Sequence, residues 1–229
     1  FALKVYDPAL LQGKNAPAEL HRIELQREIV NHDCPWLIQV HAVVVQENQC
    51  FVEMEYLPWE TLKSQIGQVP DAVVPRLLAQ LVGAARFLED KGVVHRDIKP
   101  ENILVAPDFS SLKLIDLGVV RAANSDEDGL DATDQGERRP FVATAQYSSP
   151  EYLFRLEVPS GDMWRALTFY QIGGVLHDLL VKRPLFAEAA RTENKHVISM
   201  AVFRQIPELT TAPAEHRPLA LLAAPCLTK

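Results

Sequence analysis

The sequence predicts an α+β protein with two lobes, a small strand-rich lobe at residues 1–57 and a larger helical lobe at residues 58–229. Three observations support this prediction. Apolar, β-branched runs dominate the first part, apolar residues at helical spacing dominate the second, and Pro58 lies at the change of character. With 229 residues, 48% of them hydrophobic, the chain is long enough to bury a substantial core.

The small lobe is predicted to contain three strands and one helix. Residues 1–6 favour a strand, and residues 18–32, rich in Glu, Arg, Leu and Ile, favour a helix. Apolar runs at 37–45 and 50–54 are separated by the polar residues 46–49, which is typical of a β-hairpin.

The large lobe is predicted to begin with an amphipathic helix. Asp71 is placed to cap it, apolar residues recur at helical spacing from Val74 to Leu88, and Gly92 is placed to end it. Short strands are expected at 93–94, 103–105 and 112–115. The polar, acidic residues 121–140 are expected to be mobile, and the pattern after Pro150 is helical.

Charge and hydropathy narrow the function classes. The net charge of −7 argues against a nucleic-acid partner or an anionic membrane surface, because both favour a basic face. The longest apolar stretch, Ala166–Leu180, is interrupted by Gln171, His177 and Asp178, so it predicts a buried helix and no membrane segment.

Cysteine usage points to a reducing compartment. The three cysteines show neither a CxxC motif nor a Cys/His pair at metal-ligand spacing; they are Cys34, Cys50 and Cys226. We therefore expect no structural zinc site and a cytoplasmic location.

The stretch from His95 to Asn102 carries the strongest chemical signal. Phosphoryl transfer needs a carboxylate that orients the acceptor hydroxyl, a cation near the transferred group, and oxygen ligands for Mg²⁺. Asp97, Lys99 and Asn102 provide these three residue types within a few positions, and Asp116 adds a second acidic ligand. Lys4, at the end of the first strand, is a candidate for binding the α- and β-phosphates of a nucleotide.

These motifs resemble those of the eukaryotic-type serine/threonine protein kinase family, the Hanks-type catalytic domain. The family's HRD, DFG and APE motifs are matched by HRD at 95–97, DLG at 116–118 and SPE at 149–151. FALK at 1–4 resembles the VAIK strand, and residues 162–164 resemble the Asp-x-Trp that opens a central helix. The resemblance runs over practically the whole chain, from Phe1 to Lys229.

The resemblance implies a role for each matched position. Asp97 is expected to orient the substrate hydroxyl, Lys99 to contact the γ-phosphate, and Thr144 to rest against both residues. Together, Lys99 and Thr144 indicate Ser/Thr substrates. Asn102 and Asp116 are expected to hold Mg²⁺, with Mn²⁺ as a possible substitute.

The same resemblance implies how ATP is bound. Ala2 and Leu104 are expected to cover the two faces of the adenine ring, and Met54 occupies the gatekeeper position. The backbone of Glu55 and Leu57 is expected to hydrogen-bond the adenine edge.

The glutamate that holds Lys4 is less clearly defined by the spacing. Counting back from Pro35 favours Glu24, although Glu28 then stands where an apolar residue is expected. Glu28 itself, or neither residue, is the alternative.

Two further expectations concern regulation and the chain ends. Arg96 implies a phosphate on the following segment, with Ser125 or Thr133 as autophosphorylation sites. No Gly-rich loop precedes FALK, and the arginine that pairs with Glu151 in the family is absent, so both ends are expected to be truncated.

The predicted function is transfer of the γ-phosphate of ATP to Ser/Thr hydroxyls of proteins, including this one. A pseudokinase scaffold is the first alternative, and retention of Lys4, Asp97, Asn102 and Asp116 argues against it. A small-molecule phosphotransferase is the second, and Lys99 together with the SPE motif argues against it. The sequence predicts neither the protein substrate nor the oligomeric state.

Overall fold

The computed structural model describes residues 1–12, 16–47, 49–117, 120–122, 145–156, 158, 160–207, 209 and 217–227. The strands are β1 (Ala2–Val5), β2 (Val40–Gln46), β3 (Gln49–Met54), β4 (Glu60–Thr61), β5 (Val93–Val94), β6 (Ile103–Val105), β7 (Leu112–Leu114) and β8 (Arg121–Ala122). The α-helices are α1 (Ala16–Glu28), α2 (Leu62–Gln65), α3 (Val74–Asp90), α4 (Pro150–Leu153), α5 (Gly161–Val181), α6 (Ala187–Ala190), α7 (Lys195–Arg204) and α8 (Arg217–Cys226).

The first lobe is an antiparallel sheet covered by one helix. Its strand order is β1-β3-β2, and the β2–β3 hairpin pairs Gln46 with Gln49, as the sequence predicts. Helix α1 packs against the sheet through apolar side chains that are almost fully buried, including Ile23 and Leu25. The predicted strand-rich lobe is therefore confirmed.

Two boundaries in this lobe differ from the prediction. Helix α1 ends at Glu28 instead of residue 32, because Asn31 adopts a left-handed conformation and its N–H donates to the Val40 carbonyl. Strand β2 begins at Val40 instead of residue 37. The preceding Ile38 N–H donates to the Leu114 carbonyl in the other lobe, so this segment joins the two lobes and does not extend the sheet.

The second lobe is built around α3 and α5. Leu77, Leu81 and Leu88 form the buried stripe of α3, and Gly92, with a φ of +70°, follows its end as the sequence predicts. Helix α5 begins after Ser160, whose side chain caps it, and ends at Val181, where the following Lys182 adopts a left-handed conformation. The stretch Ala166–Leu180 lies within α5 and is largely buried, which confirms the predicted internal helix.

Short strands position the candidate site between the lobes. Strands β4, β6 and β7 form one antiparallel sheet, and β5 pairs with β8. Residues 95–102 therefore connect two paired strands and are fixed at both ends. Among the described residues, no helix has the length and apolar character needed to cross a membrane.

Candidate active site

His95 anchors the loop that carries the candidate catalytic residues. Its ring is 2% exposed, and Nε2 lies 2.9 Å from the Ile115 carbonyl oxygen, while the Asp97 N–H donates to Nδ1 at 3.3 Å. Because Nδ1 accepts, the neutral ring carries its proton on Nε2. Burial lowers the pKa of His95, which favours this neutral form. His95 thus links the loop to the strand end that leads to Asp116.

Gln171, in α5, binds the main chain of the same loop through its side chain. This α5 side chain is 1% exposed; its Nε2 donates to the Arg96 carbonyl at 2.7 Å and its Oε1 accepts from the Ile98 N–H at 3.1 Å. Arg96 has a φ of +67°, so the loop turns sharply where Gln171 binds it. Sequence reasoning missed this residue, although a lone amide in an apolar helix was the available signal.

The Asp-x-Trp resemblance at residues 162–164 does not provide that anchor. These residues open α5 as expected, but the Asp162 side chain is 94% exposed and bonds Arg165 on its own helix. Trp164 is buried, and its ring lies 5.7 Å from the Arg96 guanidinium carbon. The Asp162 side chain therefore points to solvent, and Gln171, more than two turns further along α5, contacts the loop at residues 95–102.

Asp97, Lys99 and Asn102 come together at the centre of the loop. Lys99 Nζ lies 2.8 Å from Asp97 Oδ2, and Asn102 Nδ2 donates to the same oxygen at 2.9 Å. Asn102 Nδ2 also donates to the Asp97 main-chain oxygen at 2.9 Å. The Asp97 side chain is 9% exposed, so two donors fix the orientation of a nearly buried carboxylate.

Lys4 and Asp116 face each other across the mouth of the site. Lys4 Nζ donates to Asp116 Oδ1 at 2.5 Å, and both side chains are partly exposed. Burial alone lowers the pKa of Lys4, but the neighbouring Tyr6 and Asp116 outweigh this effect and raise the pKa above its ordinary value. The ammonium group is therefore charged at neutral pH.

A cleft of about 390 Å³ opens beside this pair, and most of its lining is apolar. That volume suits a small-molecule ligand. Its lining includes the residues that sequence analysis assigned to ATP binding except Glu24: Ala2, Lys4, Met54, Glu55, Leu57, Leu104 and Asp116.

The structure does not bring Glu24 to Lys4. The Glu24 side chain is 56% exposed and pairs with Arg27 at 2.5 Å, whereas Lys4 pairs with Asp116. Glu28 is also exposed, at the end of α1. The helical residue that faces the cleft is Gln26, which is 2% exposed. In a helix, Glu24 and Gln26 point in directions about 200° apart, so only one of them can face the site.

A buried polar cluster lies under the SPE motif. The Tyr147 hydroxyl bonds Asp178 Oδ2, and His177 Nδ1 lies 2.9 Å from Asp178 Oδ1. Burial raises the pKa of Asp178 to about 6, although the hydrogen bonds from His177 and Tyr147 lower this pKa. This cluster connects the segment before α4 to α5.

Three of the residues considered in the sequence analysis lie outside the described residues: Thr144, Ser125 and Thr133. The same is true of nearly all of the acidic stretch 121–140.

Comparison with known proteins agrees with this architecture. A family model described as "Protein kinase domain" matches residues 2–223, and the chain belongs to that family. It is 25% identical over 209 residues to 3-phosphoinositide-dependent protein kinase 1 of Rattus norvegicus, covering 89% of this chain and 34% of that protein.

Two further relatives carry kinase names. Citron rho-interacting kinase of Rattus norvegicus is 29% identical over 216 residues, covering 91% of this chain and 10% of the relative. CBL-interacting serine/threonine-protein kinase 21 of Arabidopsis thaliana is 27% identical over 188 residues, covering 81% of this chain and 41% of the relative. The chain thus spans less than half the length of each of these relatives.

Proposed function

We propose that this protein is an ATP- and Mg²⁺-dependent serine/threonine protein kinase that transfers the γ-phosphate of ATP to hydroxyl groups of proteins. The observation that supports this most strongly is the Asp97–Lys99–Asn102 cluster beside a cleft that carries Lys4 and Asp116. An acceptor-orienting carboxylate, two cations and two oxygen ligands are the groups that this reaction uses.

Asp97 acts on the acceptor hydroxyl. Its Oδ2 is held by Lys99 and Asn102, so the carboxylate is oriented before the substrate arrives. Lys99 places a positive charge next to the point of transfer, where it neutralises charge that develops on the phosphoryl oxygens. Both side chains are mostly buried, which strengthens these interactions relative to water.

The residues present fit a bound Mg²⁺ ion. The Asn102 amide nitrogen is committed to Asp97, which leaves its Oδ1 without a hydrogen bond in the described part of the chain, and the Asp116 carboxylate is 43% exposed at the cleft. Oxygen ligands of this kind suit Mg²⁺ and also Mn²⁺. Asn102 and Asp116 would hold the ion, which supplies neutralising charge to the phosphates when bound.

The adenine ring is assigned to the apolar end of the cleft. Ala2 and Leu104 line it, next to Met54. The Glu55 N–H already donates to the Gln39 carbonyl at 2.9 Å, so Glu55 would contribute its carbonyl oxygen to the adenine edge. Leu57 would contribute its backbone as the second contact.

The assignment to Ser/Thr substrates rests on Lys99 and on the name of one relative, CBL-interacting serine/threonine-protein kinase 21. The test is incubation of the full chain with labelled ATP, Mg²⁺ and generic protein substrates, followed by analysis of the labelled amino acids. We expect phosphoserine or phosphothreonine on substrate and on the protein itself, and neither in Asp97→Asn. Label on tyrosine alone would overturn the Ser/Thr assignment.

A second candidate is a nucleotide-binding scaffold that does not transfer phosphate. The observation that favours it is the Lys4–Asp116 ion pair, because the same carboxylate is needed for the metal. ATP binding without label transfer would support this candidate and contradict the kinase proposal. Asp90→Asn provides a matched control for the Asp97 substitution, since Asp90 is exposed at the end of α3, where its carboxylate pairs with Arg86.

A further inference from the structure

Lys4 lies on the same side of the chain as a buried tyrosine, Tyr6, which directly follows β1. Side chains alternate along a strand, so Ala2, Lys4 and Tyr6 point to the same side, while Leu3 and Val5 are more than half exposed on the other. Tyr6 is 7% exposed, and Lys4 Nζ lies 5.2 Å from the centre of its ring. At this distance the ring face attracts the ammonium group.

Gln26 fixes that tyrosine from helix α1. Gln26 Nε2 donates to the Tyr6 hydroxyl oxygen at 3.1 Å, and the hydroxyl lies 3.3 Å from Gln26 Oε1. Gln26 Nε2 also lies within hydrogen-bond distance of the Arg22 carbonyl, at 3.2 Å, which ties the amide to its own helix. Both partners are buried, so the bond is shielded from competition with water.

The helix is thus connected to the lysine through two uncharged side chains. Glu24 and Glu28, the two acidic residues considered for this task, are exposed and do not contact Lys4. Gln26 lines the same cleft as Lys4. The carboxylate that pairs with Lys4 is therefore Asp116, at the mouth of the cleft, and neither glutamate of the helix neutralises the ammonium group.

We propose that Tyr6 and Gln26 are positioning residues that orient Lys4 toward the phosphates of a bound nucleotide, in place of a helix glutamate. This inference rests on the proposed function, since it assumes that the cleft takes ATP. Tyr6 supplies the surface on which the Lys4 ammonium lies. Gln26 holds the Tyr6 ring at the angle that keeps the ammonium at the mouth of the cleft.

Isothermal titration with ATP and with adenosine tests the proposal, because only ATP carries the phosphates that Lys4 would bind. Tyr6→Phe keeps the ring and removes the hydroxyl, and Gln26→Leu removes the amide. Each is expected to weaken ATP binding about threefold to tenfold, the effect of losing one ordinary hydrogen bond. The affinity for adenosine is expected to stay within about twofold of the wild type, because adenosine carries no phosphates for Lys4 to bind.

One further variant serves as a control. Tyr170→Phe removes a hydroxyl from a tyrosine that is equally buried in α5, and we expect it to change neither affinity.

The outcomes separate the inference from the function on which it rests. Equal weakening of ATP and adenosine binding by Tyr6→Phe and Gln26→Leu would show a purely structural role and overturn the inference. Unchanged ATP binding in both variants would overturn it too, with the proposed function intact. Failure of the wild type to bind ATP would overturn the proposed function and this inference together.

Discussion

The side chain of Gln171 is bound to the main chain of Arg96, through a hydrogen bond of 2.7 Å from Nε2 to the carbonyl oxygen. Oε1 of the same amide accepts from the Ile98 N–H, on the other side of Asp97. One residue in the middle of α5 therefore fixes the backbone on both sides of Asp97.

Gln171→Leu tests the structural weight of that anchor. The substitution keeps the volume but leaves a buried carbonyl and a buried N–H without partners, each worth about 1–3 kcal/mol. We expect the free energy of unfolding to fall by about 2–4 kcal/mol in urea titrations. Gln68→Leu, at an exposed glutamine, is the control and should change stability by less than about 0.5 kcal/mol. Equal effects of the two substitutions would contradict the anchoring role.

Asp178 predicts a specific pH dependence of stability. Its pKa in the folded protein is about 6, mainly because of burial, whereas an unfolded aspartate titrates near 3.8. The folded state therefore binds the proton more tightly. The contribution of Asp178 to stability is fully present below about pH 4 and is lost as the pH rises through about 6.

Asp178→Asn removes this titration. Relative to the variant, the wild type should lose roughly 2–4 kcal/mol of unfolding free energy between about pH 4 and pH 7. Urea unfolding at intervals of pH measures the difference directly. Parallel pH profiles for the two proteins would show that Asp178 does not bind a proton preferentially in the folded state.

Lys113 connects β7 to the segment that joins the two lobes. Its Nζ lies 2.5 Å from Glu55 Oε1 and 3.3 Å from the Leu37 carbonyl, and both charged side chains are largely buried. Lys113→Met leaves that carboxylate without its cation, so we expect a loss of about 1–3 kcal/mol in chemical unfolding. Lys63→Met breaks a pair whose lysine is 61% exposed and should cost less than about 1 kcal/mol. The reverse order of the two losses would refute this comparison.

Gly83 is required by the packing of α3 against Trp36. A Cβ atom at this position would lie 2.5 Å from the indole ring, whereas a Cβ at Gly67 would meet nothing within 4 Å. We expect Gly83→Ala to destabilise the protein by about 1–3 kcal/mol, despite the higher helix propensity of alanine. Gly67→Ala should be neutral or slightly stabilising. Thermal unfolding of both variants measures this, and equal midpoints would contradict the close packing.

Much of the fold could be predicted because local patterns and tertiary structure agree. The β2–β3 hairpin and the buried helix α5 follow from hydrophobic period and turn residues alone. The end of α1 could not be predicted, since it depends on a hydrogen bond from Asn31 to Val40 that no local propensity encodes.

The candidate site could likewise be predicted only in part from the sequence. Asp97, Lys99 and Asn102 are close in sequence, so their association followed from spacing. Tyr6, Gln26 and Gln171 are uncharged residues whose partners are distant in sequence or on another element, and composition does not distinguish them from ordinary polar residues. The choice of Glu24 failed to anticipate this geometry because counting residues does not determine which helix face meets the cleft.

The most direct test of the central claim is the single-turnover rate of phosphate transfer from saturating Mg²⁺-ATP, measured for the wild type, Asp97→Asn and Asp90→Asn. If Asp97 orients the acceptor hydroxyl, its substitution should lower the rate by at least about 100-fold, as loss of a positioned acid–base group does. ATP affinity should change by less than about threefold, and Asp90→Asn should match the wild type. A transfer rate in Asp97→Asn equal to that of the wild type would contradict the assignment of this loop as the catalytic centre.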